Sequence, residues 1–465
     1  MSKFDFKSQK PFAVSDILDA LQSGSTERVA EIYRDVHPGD IERAFERLDE
    51  DDRVSILEEL PDDVLAEWSD YLTPAELTAF LHRVAKPKQK ETLDSLSDDE
   101  LVDFLQEVDD INERDEYIQL LEDEKRIVSE ELLQYPDESA GGRMTTMMAS
   151  VNESVTVKEA LDQLKALSEE AEMLSRIYVI NNDDQLVGRI RLRDLAFAKW
   201  ETPISEVMSY DQISISAHSD QEEAAQMISR YDLLALPVVD EDKRLLGVIT
   251  YDDAMEIIEE ESTEDIERQS GIGGERGDLA YLQTPVLAHF RRRFVWVVVL
   301  AFLALLSGLV LMKYEDIMKN FYILALYLPM VVAAGGNTGA QSATMVIRAM
   351  ALGELGPAQF VKVIWKELRV GAILGTLLGI IVALQINFLL PASATAGVGI
   401  YETAMVVGFA LTAQIFTSTL IGAALPLLAR MAKLDPAVVA SPAITTLVDV
   451  SGSVIYFTLA RIIFS

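Results

Sequence analysis

Hydrophobic and polar positions follow three different rhythms along the 465-residue chain. Up to about residue 136, Leu recurs at helical spacing behind short start signals. Leu60-Pro-Asp-Asp-Val-Leu-Ala-Glu67-Trp68, Leu72-Thr-Pro-Ala-Glu-Leu77 and Leu96-Ser-Asp-Asp-Glu-Leu-Val-Asp103-Phe-Leu105 share one plan. Each has a Leu, a Ser, Thr, Pro or Asp start signal, an acidic first turn, then Leu again. The pattern predicts an all-α helical-repeat domain over residues 1–136, a small right-handed array.

The second rhythm is a duplication. It follows a turn-rich junction, Tyr135-Pro-Asp-Glu-Ser-Ala-Gly-Gly-Arg-Met144. One copy holds Val151 and Val155-Thr-Val-Lys-Glu-Ala160, then Ile177-Tyr-Val-Ile180, then Leu186-Val-Gly188-Arg-Ile-Arg191-Leu-Arg193-Asp194. The other holds Ile213-Ser-Ile215, Ser219-Asp220-Gln-Glu222-Glu-Ala224, Leu236-Pro-Val-Val-Asp240 and Leu245-Leu-Gly247-Val-Ile-Thr250-Tyr-Asp-Asp253. Short β runs alternate with helices, which predicts two β-α-β-β-α units within 137–265, at about 144–200 and 206–265. An acidic connecting helix and linker follow over 255–284, broken at Gly271-Ile-Gly-Gly274.

The third rhythm is continuous apolarity. Five runs, near 293–312, 321–347, 370–390, 401–428 and 442–464, are each long enough for a bilayer core, which takes about 20 helical residues. They predict a five-helix transmembrane domain over 285–465. Arg291, Arg292 and Arg293 precede the first run, and Arg348, Lys362, Lys366 and Arg369 separate the second from the third. Arg430 and Lys433 separate the fourth from the fifth, whereas 391–400 has no Lys or Arg. The positive-inside rule then makes the chain a multi-pass protein of the plasma membrane, with a cytoplasmic N-terminus and an outer C-terminus.

Charge sharpens this division. Residues 285–465 carry 12 Lys and Arg against 7 Asp and Glu, so of the total −36 a net −41 sits on residues 1–284. Such a surface opposes nucleic acid and attracts cations. The absence of Cys excludes disulfides and thiolate metal sites, and four His without an HExxH pair argue against zinc. No nucleophile–base or metal-hydrolase motif supports an enzyme.

Two stretches carry candidate chemistry. Asp449 lies well inside the last apolar run, and Glu402, at a helix end, is the other acid within the predicted runs. An ionised Asp at membrane depth costs at least about 2.5 kcal/mol. It is expected to face water, a cation or the bundle interior; the alternative is a carboxyl bonded to Thr445 or Ser451 of its own helix. The second stretch is Pro329-Met-Val-Val-Ala-Ala-Gly335-Gly336-Asn337-Thr338-Gly339-Ala-Gln341-Ser342-Ala-Thr344. Its Pro and Gly residues predict a helix broken beside a polar cluster lining a cavity. Close packing through small residues is the alternative.

The duplicated units resemble a tandem CBS pair, a module that often binds adenine nucleotides. Thr250 and Asp253 keep that family's Gly-x-x-Ser/Thr-x-x-Asp ending in the second copy. In the first, Arg191 replaces the Ser/Thr ahead of Arg193 and Asp194, so weak ATP binding or none is expected. The Pro-x6-Gly-Gly-Asn-x-Gly-x-Gln run at 329–341, with Asp435-Pro436, Ser441-Pro442 and Asp449, resembles the MgtE family of magnesium channels; Ser441 stands where relatives can carry Asn. The resemblance implies a homodimer with a pore on its two-fold axis, lined by the second and fifth membrane helices. Asp449 and Asn337 would be the pore residues for Mg2+. It also implies Mg2+ sensing by Glu67, Asp99, Asp103, Asp220, Glu222, Asp232, Asp253, Glu256, Glu261, Glu264 and Asp265, closing the pore when internal Mg2+ is high. Glu256 stands where Asp is common. A channel or carrier for Co2+, Ni2+ or Mn2+, and a cation-coupled secondary transporter, are the alternatives.

Overall fold

Short amphipathic segments with capping signals begin the described chain. The computed structural model describes residues 48, 50–59, 65, 72–108, 110–166, 173–210, 213–273, 281, 284–390 and 398–464. Glu67 and most of the Leu60–Trp68 copy lie outside the described residues, as do the side chains of 437–443, Ser441 among them. The helices are α1 (Glu50–Glu59), α2 (Pro74–Leu81), α3 (Lys86–Ser95), α4 (Asp98–Glu107), α5 (Ile111–Leu120) and α6 (Asp123–Leu132). Thr73 shows why they start where they do: its hydroxyl accepts from the Glu76 N–H, and Glu76 reaches back to the Thr73 N–H, a capping box. The repeated Leu residues are the core: Leu72, Leu77, Leu96, Leu101 and Leu105 are all buried.

The duplicated stretch folds as two like units. The first is β1 (Met148–Asn152), α7 (Val157–Ala166), β2 (Met173–Ile180), β3 (Leu186–Arg191) and α8 (Leu192–Phe197). After α9 (Ile204–Val207) come β4 (Ile215–Ser216), α10 (Gln221–Tyr231), β5 (Ala235–Val239), β6 (Leu245–Thr250) and α11 (Tyr251–Gln269). In each three-stranded sheet the first two strands are parallel and the last two antiparallel. Tyr178, Leu186, Ala235, Val239 and Val248 form a small core that joins the two sheets.

The segment before β1 belongs physically to the second unit. Thr145 bridges Val248, and the Gly141 N–H donates to the Ala217 carbonyl at 2.8 Å. A Cβ on Gly141 would sit 2.6 Å from the Tyr135 ring, which accounts for Gly there. Val102 and Leu132 of the helical array share a core with Leu236, Val238 and Ile249. The chain separates into two compact units, with Ser262–Arg276 grouped with the second. A Schellman motif stops α11: Gly271 has φ +72°, Ile272 N–H donates to Glu267 O, and Gly271 N–H to Arg268 O.

The second unit holds α12 (Val286–Lys313), a short α13 (Glu315–Asn320), α14 (Ile323–Ala351), α15 (Phe360–Leu389), α16 (Ile400–Met431) and α17 (Pro436–Phe464). Five of these, all but α13, contain spans long and apolar enough to cross a membrane among the described residues. Central α16 packs against α14, α15 and α17. Glycines allow the closest approach: a Cβ on Gly375 would lie 2.7 Å from the Thr412 carbonyl oxygen, and one on Gly379 2.6 Å from that of Gly408.

Candidate functional site

Within the membrane unit, α14 runs unbroken through Pro329 and the glycines, which corrects the expected break. The glycines are packing positions instead. A Cβ on Gly335 would be 2.4 Å from Gln414 Nε2, and one on Gly422 would be 2.2 Å from the Gly339 carbonyl oxygen. Gly336 has open space. Asn337, Gln341 and Thr344 of the motif lie on another side, whereas Ser342 is buried. Asn337, Gln341, Thr344 and Arg348 recur at spacings of 4, 3 and 4, and all are exposed in the single chain. A polar stripe on an apolar helix suits water or a partner rather than lipid.

Asp449 is half-buried on α17. Of the two hydroxyls in the alternative reading, Thr445 and Ser451, Ser451 turns to a backbone carbonyl instead of the carboxylate. Ser451 Oγ donates to the Val448 carbonyl at 3.2 Å, and Ser453 Oγ to the backbone oxygen of Asp449 at 2.9 Å. Among the described residues nothing donates a hydrogen bond to its carboxylate. Gln414, fully buried on α16, donates from Nε2 to the Val448 carbonyl at 2.8 Å, one peptide before Asp449. Sequence reading missed Gln414, because Gln in an otherwise apolar run has no periodic signature. It also missed Glu367. The third apolar run starts near 370, whereas α15 begins at Phe360 and carries Glu367 inside the helix. Ser342 Oγ lies 2.9 Å from Glu367 Oε2 and 3.0 Å from the Thr419 carbonyl oxygen.

The first unit holds a second candidate site, an acidic seam. Asp99 and Asp103 lie one turn apart on α4, and Asp253 is in the first turn of α11. Asp253 Oδ2 accepts from Thr250 N–H at 3.0 Å and from Thr250 Oγ at 2.5 Å, so this half of the nucleotide pattern is also a helix start. Oδ1 of Asp99 is buried without a hydrogen-bond partner among the described residues. Burial and then the Asp253 charge push the Asp99 carboxyl up to about 6. Burial pushes Asp103 up to about 7 against the pull of Arg143, and it raises Asp253 as well. An orphaned, charge-strained oxygen of this kind suits a cation.

The other expected sensing residues are not gathered there. Asp220 caps α10, its Oδ1 accepting from the Glu222 N–H, while Glu222 takes Gln226 Nε2 at 3.0 Å. Asp232 ends the same helix in left-handed geometry. Eleven residues of helix put these two ends roughly 16 Å apart, too far for one ion. Glu256 is exposed, and Glu261 accepts from Gln221 Nε2 at 2.7 Å. In the membrane unit, Glu264 pairs with Arg268, which also holds Asp435 at 2.8 Å. Burial, then Asp435, raises Asp265. Among the described residues no three His, Asp or Glu side chains approach closely enough to cage a metal.

Arg191 has a role the motif comparison could not show. It lines a cavity of about 290 Å3 with Arg176, Arg189, Asp194 and Ser209. Arg193 is at the side of this group, 3.6 Å from Asp194, and Thr250 lines a different, much smaller cavity.

A helical array and paired α/β units followed by five helices long and apolar enough to cross a membrane define the class of multi-pass membrane proteins with a large non-membrane region. The family described as "Divalent cation transporter" (MgtE) matches residues 328–459, the MgtE intracellular N domain matches 13–99 and 36–138, and CBS domains match 140–201 and 204–260. The chain belongs to the MgtE family. It is 34% identical over 464 residues to the magnesium transporter MgtE of Thermus thermophilus, covering 98% of this chain and 99% of that one. The Bacillus subtilis magnesium transporter MgtE is 31% identical over 445 residues, covering 93% and 96%. A crystal structure of the cytosolic domain of the Mg2+ channel MgtE in complex with ATP superposes with TM-score 0.50 at 34% identity, covering 53% of this chain and all of that one. This membership sets the chain among transporters, not enzymes.

Proposed function

We propose that the protein conducts Mg2+ inward across the plasma membrane as a homodimer, along a path lined by α14 and α17, with internal Mg2+ closing it. The observation that carries this reading is the pairing of an exposed polar face, Asn337 to Arg348, with an Asp449 carboxylate that accepts no hydrogen bond among the described residues. Mg2+ gives up its waters reluctantly and is commonly held by one or two carboxylates. Two Asp449 side chains, one from each subunit, suit a hydrated ion that must also leave. A dication gains about 4.6 kcal/mol per 100 mV, twice the single-charge value, so the membrane potential alone can drive entry. A carrier coupled to Na+ or protons would need that gradient, and oxygen-only ligands favour Mg2+ over softer metals.

For closure, the seam at Asp99 and Asp253 is the proposed sensor. Its like charges repel until a dication bridges them, which favours one state of the soluble unit over another. Asp449→Ala should abolish most Mg2+ uptake in cells while the protein stays in the membrane. Wild-type uptake in that variant would remove Asp449 from the path.

The arginine-lined cavity favours a second reading alongside the first: an anionic ligand such as a nucleotide phosphate held by Arg176, Arg189 and Arg191. Arg191 then adds charge where the motif comparison counted only a lost hydroxyl. Titration calorimetry of ATP against the wild-type chain and Arg191→Ala separates this from weak binding or none. Equal heats for both would end it.

A further inference from the structure

Arg143 belongs to none of the expected sites, yet it makes the most extensive polar contacts in the seam. It sits in the turn-rich junction just after the Gly141-Gly142 pair. Its Nη1 donates to Asp103 Oδ2 at 2.7 Å, its Nη2 to Glu260 Oε2 at 2.9 Å, and its Nε to Gln221 Oε1 at 3.0 Å. These three partners come from three elements: α4 of the helical array, α11 and α10. The side chain is mostly buried and so is that of Asp103. Gln221 is itself buried and passes the contact on to Glu261. Burial works against the guanidinium charge, but Asp103 and Glu260 more than offset it and hold the group firmly protonated.

We propose that Arg143 is a built-in cation of the sensor: its guanidinium fork docks the helical array onto the second CBS unit and lowers the Mg2+ concentration needed to complete that docking. The inference rests on the Mg2+-sensing reading above. A planar fork with three donors matches acceptors held in fixed directions, which a compact ammonium does not. Without it, Asp103 and Glu260 face each other uncompensated beside Asp99 and Asp253. Two effects then oppose. The bare acids attract Mg2+ more strongly, but they also repel more before it binds. The repulsion wins, because Arg143 touches Asp103 and Glu260 at hydrogen-bond distance, whereas it acts on a dication at Asp99 and Asp253 only through the charge field.

The test uses spin-label distances in the full chain, reconstituted in lipid and diluted with unlabelled chain. Glu91→Cys on α3 and Ser229→Cys on α10 supply exposed label sites, with no native Cys to compete. In EDTA the wild-type background should give a mixture of a short and a longer distance that Mg2+ converts to the short one, and Arg143→Met only the longer, broader one. Added Mg2+ should restore the short distance in Arg143→Met at a midpoint about tenfold higher than wild type, the scale of a partly exposed ion-pair network. Neutralising the partners as well, in Arg143→Met with Asp103→Asn and Glu260→Gln, should return the short component in EDTA. That triple variant also serves if Arg143→Met alone fails to fold. Identical EDTA distances and Mg2+ midpoints in wild type and Arg143→Met would overturn the proposal, as would a triple variant still undocked. If Mg2+ moves neither protein while their EDTA distances differ, the sensor reading fails and the clamp stands.

Discussion

At the scale of single residues, acids in the two units do different work. The Asp449 carboxylate accepts no hydrogen bond among the described residues of the membrane unit, while Asp99 and Asp103 are pressed into a seam that disfavours their charge. A carboxyl held above its unfolded value stabilises the fold at low pH and loses that contribution as pH rises through the folded value. Metal-free stability of the soluble unit should therefore fall between about pH 4 and pH 7, the span from ordinary Asp to the raised values of about 6 and about 7. Mg2+ needs the deprotonated form, so its stabilising effect should grow over the same window. Thermal unfolding in EDTA and in Mg2+ across that range checks both signs; an equal Mg2+ effect at both ends would contradict them. Asp99→Ala with Asp253→Ala should move closure to higher Mg2+, and an unchanged midpoint would exclude both residues from the sensor. Asp449, Asn337, Asp99, Asp103 and Asp253 stand out in the sequence as candidates because a charge in an apolar run, or a family motif, marks them. Arg143, Gln414 and Glu367 do not. Their partners lie 25 to 117 residues away and come together only on folding.

At the scale of elements, periodicity placed the helical array, the two α/β units and the five apolar helices. It failed where local propensity and packing disagree. Pro329 and Gly335, Gly336 and Gly339 read locally as helix breakers. Neighbouring helices override them, because α14 needs small residues where Gln414 and α16 press against it. The third membrane helix was begun too late, since Lys362, Lys366 and Arg369 looked like loop but belong to the first turns of α15. Gly422→Ala should separate α14 from α16, because the new methyl would meet a backbone oxygen that cannot yield; overpacking of this kind costs about 1–3 kcal/mol or more. Gly336→Ala, with open space, should leave folding unchanged. Detergent-solubilised yield and thermal midpoint compare the two, and equal behaviour would show that the helix contact is not set by these glycines.

At the scale of the whole molecule, charge is sorted along the chain: a net −41 on residues 1–284 precedes an apolar, slightly basic membrane unit. That sorting was readable from composition, and it suits a device in which an acidic soluble part answers to the cation its membrane part carries. Deleting residues 1–136 should remove part of the brake and leave more flux at high internal Mg2+. An unaltered Mg2+ response in the deletion would confine sensing to the paired CBS units and α11. The central claim is most directly tested by Mg2+ current through the reconstituted protein under applied voltage, with no Na+ or proton gradient. The expected current falls as Mg2+ is raised on the side of the first unit and is lost in Asp449→Ala. No current without a coupling gradient, or an undiminished one in Asp449→Ala, would contradict that claim.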